Sequence, residues 1–182
     1  MTQEKPAPFD STPFFDSHTA DYASLPYVLC SDLLDREVDL IKFIKKNPTH
    51  TTFLDVGAGT GRVASLVKQN FPDMHVTALE PSVALLNMLE NQSIRKVVGK
   101  IPDLNLDPNE SFSLIYISHV LHHLVVDTIR KSHNIWKESL LLLRYYLDET
   151  GFLIIQDELC ETHIIPNATR TLAFFLLTQP AN

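Results

Sequence analysis

Phe53-Leu54-Asp55-Val56-Gly57-Ala58-Gly59-Thr60-Gly61-Arg62 is an apolar run that breaks into a GxGxG turn and then opens an amphipathic stretch, Arg62 to Asn70. The run has the length and bounds of a buried strand, and the stretch after it has helical spacing. Glycine tolerates positive φ and carries no Cβ, so the turn between them can be tight and a ligand can approach its backbone. The helix that follows presents unsatisfied N–H groups and a positive dipole end to that space. A nicotinamide or flavin fingerprint would read GxGxxG from Gly57, but its third glycine position is Arg62. A P-loop would need Gly-Lys-Ser/Thr, and Gly61-Arg62-Val63 does not supply it.

Outward from this turn, short apolar runs alternate with amphipathic stretches: Thr52 to Val56, Arg62 to Asn70, His75 to Leu79, Val83 to Asn91, a weak Lys96 to Val98, and Ser113 to Ser118. Such alternation predicts a parallel sheet covered by helices, a three-layer α/β/α arrangement. Ahead of it, Leu33, Leu34, Val38, Ile41 and Phe43 predict a helix from about Leu25 to Lys46, stopped by Asn47-Pro48. Beyond it, a long helix is expected from about Val126 to Leu147, a turn ending at Gly151, a fifth strand from Phe152 to Gln156, and a last apolar helix from Ala168 to Leu177. Residues 1–20, with Pro6, Pro8 and Pro13, read as an extended arm, and 21–182 as one domain.

Composition narrows the function. Of 182 residues, 45% are hydrophobic and 20% charged, the balance of a globular domain. The formal charge of -7 and the lack of a Lys/Arg block argue against nucleic acid as partner. Cys30 and Cys160 lie far apart with no metal-ligand spacing, so no disulfide framework and no metal site is expected, and a reducing cytoplasm fits best. No run reaches the length that spans a membrane, and Arg170 makes Ala168 to Leu177 a core element. Glu80, nineteen residues beyond Gly61, ends the next apolar run, where a carboxylate can accept both hydroxyls of a ribose. Either NAD or S-adenosylmethionine would place a ribose there.

With these residues in view, the chain resembles the class I S-adenosylmethionine-dependent methyltransferases, particularly the small-molecule type. The resemblance runs from about Tyr22 to Glu158 and rests on Leu54 to Gly61, on Leu79-Glu80-Pro81-Ser82, and on Phe112 to Leu124 with its Ser118-His119-Val120-Leu121-His122-His123. It implies Asp55 near the methionine amino group, Gly57, Ala58, Gly59 and Gly61 around the methionine and ribose, Glu80 and Pro81 at the ribose, and Ser118 and His119 on the pocket wall. Where the family has Gly-Asp, this chain has Gly99-Lys100, and Asp103 is the nearest carboxylate that could serve the adenine. Tyr22 and Tyr27 either cover the cofactor or pack a helix. His122 and His123 are the candidate catalytic pair, since a neutral imidazole can take a proton from a hydroxyl or amine.

The family's sixth and seventh strands have no evident counterpart. An edge left open on the fifth strand, beside an apolar last helix, predicts either a longer parent protein or a two-fold dimer through those elements. The resemblance therefore implies methyl transfer from S-adenosylmethionine to a small molecule, with a non-catalytic or partner-dependent cofactor-binding module as the alternative and a nicotinamide-dependent oxidoreductase behind both.

Overall fold

The computed structural model describes residues 12–17, 19, 31–104, 106–159 and 171–178. Its elements in chain order are α1 (Thr12–Ser17), α2 (Ser31–Lys46), β1 (Thr52–Val56), α3 (Arg62–Asn70), β2 (His75–Glu80), α4 (Val83–Asn87), β3 (Arg95–Val98), β4 (Phe112–Ser118), a 3-10 turn (Leu121–His123), α5 (Ile129–Tyr145), β5 (Leu147–Leu159) and β6 (Thr171–Thr178). The sheet runs in the order β3-β2-β1-β4-β5-β6. Its first five members pair in parallel and β6 is antiparallel to β5.

Alternation along the strands explains why helices cover both faces. Phe53, Val76, Ala78, Leu114, Tyr116 and Ile154 share one buried cluster with Leu40, Ile41 and Ile44 of α2 and Ala64 and Val67 of α3. Their neighbours Leu54, Val56, Leu79, Ile115, Ile117, Leu153 and Ile155 point the other way, into a cluster with Ile135 and Leu143 of α5. Two apolar faces on one parallel sheet can be buried only by a layer on each side. The expected three-layer Rossmann-like architecture is the observed one. Because β1 has β2 on one flank and β4 on the other, the chain reverses its winding between β1 and β4. A crevice therefore opens above the C-terminal ends of those two strands, the place where open α/β sheets bind ligands.

The C-terminal part departs from the sequence expectation. Thr171–Thr178, all but the last expected within the helix Ala168 to Leu177, form strand β6, in register from Phe152↔Thr178 to Leu159↔Thr171. The edge of β5 is thus paired, which removes the open fifth strand on which the dimer was argued. A family-style pair of sixth and seventh strands is not seen among the described residues, and this single antiparallel strand lies beside β5 instead. β5 itself begins at Leu147, not Phe152, with a register irregularity between Phe112 and Leu114 that absorbs the expected turn. Within the stretch read as an extended arm, Thr12–Ser17 are helical. Tyr22, Tyr27, Cys30, Cys160 and the start expected for α2 lie outside the described residues.

The glycine turn is shaped by packing as well as by its open side. Gly57 has φ 71°, and a Cβ there would sit 2.3 Å from Val120 Cγ2. A left-handed conformation costs a side-chain-bearing residue about 1–2 kcal/mol, and overpacking of this kind about 1–3 kcal/mol. Gly57→Ala is therefore expected to lower the free energy of unfolding by roughly 2–4 kcal/mol in a urea titration. A loss under ~1 kcal/mol would mean that the turn and Val120 yield freely.

Candidate functional site

The site begins where β1 ends. Gly57, Gly59 and Gly61 have φ of 71°, 55° and 77°. Gly57 and Ala58 donate their N–H groups to the carbonyl of Leu79, at 2.8 and 3.0 Å, which ties the turn to the end of β2. Gly61 caps α3 without a side-chain oxygen of its own. Asp55 takes over that duty, its Oδ2 accepting the N–H of Ala64 at 3.0 Å.

Glu80 holds the same turn. Its Oε2 accepts the N–H of Gly59 at 2.9 Å and its Oε1 that of Ser82, also at 2.9 Å. Ser82 in turn caps α4, accepting the N–H of Leu85 at 3.2 Å, and donates its hydroxyl proton to the Asp16 carboxylate of α1. Glu80 is 4% exposed and Asp55 3%. Burial pushes the Asp55 carboxyl up to about 7; the Ala64 N–H opposes this, while the neighbouring Glu80 and Glu37 carboxylates reinforce it. Burial also raises Glu80, against the pull of its two backbone donors.

A cleft of about 230 Å³ opens beside this turn. Of the residues singled out from the sequence, Asp55, Gly57, Ala58, Gly59, Ser118 and His119 line it. Gly61 and Glu80 are buried and are not among its lining residues, Pro81 is partly buried, and Asp103 is exposed. His122 and His123 sit on the 3-10 turn after β4, next to the cleft; the ring centroids of His119 and His122 are 6.1 Å apart.

Several wall groups were not anticipated. Glu37 of α2 pairs with Arg62 of α3 across one side of the cleft. Burial raises the Glu37 carboxyl, and the Arg62 guanidinium works against that. Tyr116 donates its hydroxyl proton to Gln156 Oε1 at 2.6 Å, and both residues line the floor. Asp157, next in β5, is buried and reaches the turn after β4. The signal that could have found Gln156 and Asp157 is their position at the C-terminal end of a parallel strand next to the switch point. Nothing local marks Glu37, whose partner lies 25 residues away.

Residues 54–140 match the methyltransferase domain family. Among solved structures, CcbJ methyltransferase from Streptomyces caelestis is similar with a TM-score of 0.63 at 19% identity, over 82% of this chain and 59% of that one. CalS10, an amino pentose methyltransferase from Micromonospora echinaspora solved with S-adenosylmethionine, gives a TM-score of 0.61 at 19% identity, over 90% of this chain and 62% of that one. The plantazolicin methyltransferase BpumL, solved with a pentazolic desmethylPZN analog and S-adenosylhomocysteine, gives 0.57 at 16% identity, over 81% and 54%. The chain thus spans between 54% and 62% of the length of these neighbours. No curated protein matches the sequence. The resemblance read from the glycine turn is borne out to this extent: residues 54–140 match the methyltransferase domain model, and the fold is the one these methyltransferases share.

Proposed function

We propose that the chain binds S-adenosylmethionine in this cleft and transfers its methyl group to a small molecule. The observation that carries the reading is the convergence, at one switch point, of three left-handed glycines with the buried carboxylates of Asp55 and Glu80. The donor set fits a cationic ligand. Burial, with the Glu80 and Glu37 carboxylates adding to it, raises the Asp55 carboxyl, and the Ala64 N–H and Arg62 offset this only in part. An ammonium entering beside Asp55 would supply the missing counter-charge. Glu80 keeps a second lone pair on each oxygen, the acceptor pattern that two ribose hydroxyls need.

In this reading Asp55 receives the methionine amino group; Gly57, Ala58, Gly59 and Gly61 give close backbone approach; and Glu80 and Pro81 take the ribose. Ser118 and His119 close the wall from β4, and Asp103 serves the adenine edge. The cofactor supplies a methyl group already activated by its bond to positive sulfur. The protein's part is to align the acceptor and keep water from the reacting atoms. The net charge of -7, together with neighbours described as an amino pentose methyltransferase and a methyltransferase bound to a desmethylPZN analog, favours a small substrate over nucleic acid. We place the protein in the cytoplasm, with residues 21–182 as its binding domain.

Calorimetry with S-adenosylhomocysteine tests this, with NAD as control. Asp55, raised to about 7, holds a proton in the ligand-free protein below that pH, and ionising it costs stability that is present below its ordinary value of 3.8 and lost as pH rises through about 7. An ammonium ligand needs the ionised form, so affinity should rise roughly tenfold between about pH 6 and pH 8. Failure to bind, or tighter binding of NAD, overturns the proposal. A flat profile removes Asp55 as the ammonium partner.

A further inference from the structure

Asp157 and His122 form a pair outside the cofactor cradle. Asp157 is buried at the end of β5, 35 residues from His122. Its Oδ2 accepts the N–H groups of Val120 and Leu121, at 3.1 and 2.6 Å. Its Oδ1 lies 2.7 Å from Nδ1 of His122. Backbone N–H groups can only donate, so Oδ2 is held as an acceptor, and with Asp157 as a carboxylate Nδ1 is the donor of the third contact. A neutral ring in that tautomer has its lone pair on Nε2. The side chain of His122 is 39% exposed, so the ring is oriented from a buried group yet reaches solvent.

Resting on the function proposed above, we propose that His122 is the proton acceptor of the transfer step, that Asp157 positions it, and that the methyl acceptor is a neutral hydroxyl or amine with a proton to lose. The acceptor's lone pair forms the new bond to carbon while the carbon–sulfur bond breaks, leaving its electron pair on sulfur as a thioether. The acceptor's proton passes to Nε2, and the imidazolium faces the Asp157 carboxylate until the exposed ring returns the proton to solvent. An acceptor that is already an anion would need no such group.

His123 is the contrasting neighbour. Its ring centroid lies 4.1 Å from that of His122. Burial, with His122 and His119 adding to it against Asp157, lowers its tendency to take a proton. The groups that face His122 are thus Asp157 from β5 and the rings of His119 and His123.

Nitrogen-15 NMR of the imidazoles in the full chain at pH 8, with and without S-adenosylhomocysteine, tests the assignment. For His122 the proposal requires a protonated Nδ1 and an unprotonated Nε2, an Nε2 resonance that moves when S-adenosylhomocysteine binds, and loss of that tautomer in Asp157→Asn. A purely structural pair would not place Nε2 next to the cofactor. A protonated Nε2 in the wild-type chain overturns the proposal without any variant, and so does an unchanged tautomer in a folded Asp157→Asn. Binding of S-adenosylhomocysteine that leaves the His122 resonances untouched overturns it as well. Absence of binding in calorimetry is a different failure, since it removes the cofactor reading itself.

Discussion

Gly59→Val is expected to abolish binding of S-adenosylhomocysteine while the far-ultraviolet circular dichroism stays native-like. Gly59 has φ 55°, lines the cleft, and donates its N–H to Glu80. A β-branched residue is ill suited to the left-handed region, and its two methyl groups would project where a ligand must approach the backbone. The strain itself is about 1–2 kcal/mol, small against the stability of a folded domain. The expected separation is therefore between binding, lost beyond detection in calorimetry, and folding, which survives. A variant that still binds would mean that the turn serves the fold alone.

Glu80→Ala should act on both. In the proposed ribose role, deleting the carboxylate removes hydrogen bonds to a charged group, worth about 1.5–3 kcal/mol, a ten- to hundredfold loss of affinity. It also strips the acceptors from the N–H groups of Gly59 and Ser82, both at buried bonds. An unsatisfied buried donor costs about 1–3 kcal/mol, so the midpoint of thermal unfolding should fall as well. Loss of stability with unchanged affinity in the remaining folded protein would make Glu80 a brace for the turn and nothing more. Glu80→Gln, which keeps an acceptor oxygen, should recover more stability than affinity.

The parts of this molecule that were legible in its sequence are those in which neighbouring residues carry the information. β1 and β2 are apolar runs closed by a glycine turn and an acid, and the helices after them show spacing and caps such as Ser82. β6 was misread because six residues between two threonines, Thr-Leu-Ala-Phe-Phe-Leu-Leu-Thr, are apolar without a period. Length and the paired phenylalanines favoured a strand, but a continuous run does not by itself separate the two structures. The start of β5 was hidden by Asp148-Glu149-Thr150-Gly151, whose turn-like composition is overridden by pairing with β4. In the site, Asp55 and the glycines could be read because strand, turn and helix adjoin. Asp157 with His122, Gln156 with Tyr116, and Glu37 with Arg62 are meetings of distant segments, and only the sheet order brings them together.

The contact between Gly57 and Val120 joins two things that have so far stood apart. Val120 occupies the space a Cβ at position 57 would take, and its N–H is one of the donors fixed on Asp157. Any side chain that forces Val120 away must also pull on the carboxylate that orients His122. The absence of a single methyl group at the end of β1 is therefore tied, through Val120, to a carboxylate two strands away and to the imidazole it is proposed to aim. Positions 57 and 120 share one space: bulk added to the first has to be surrendered by the second, and their separate effects on stability will not sum.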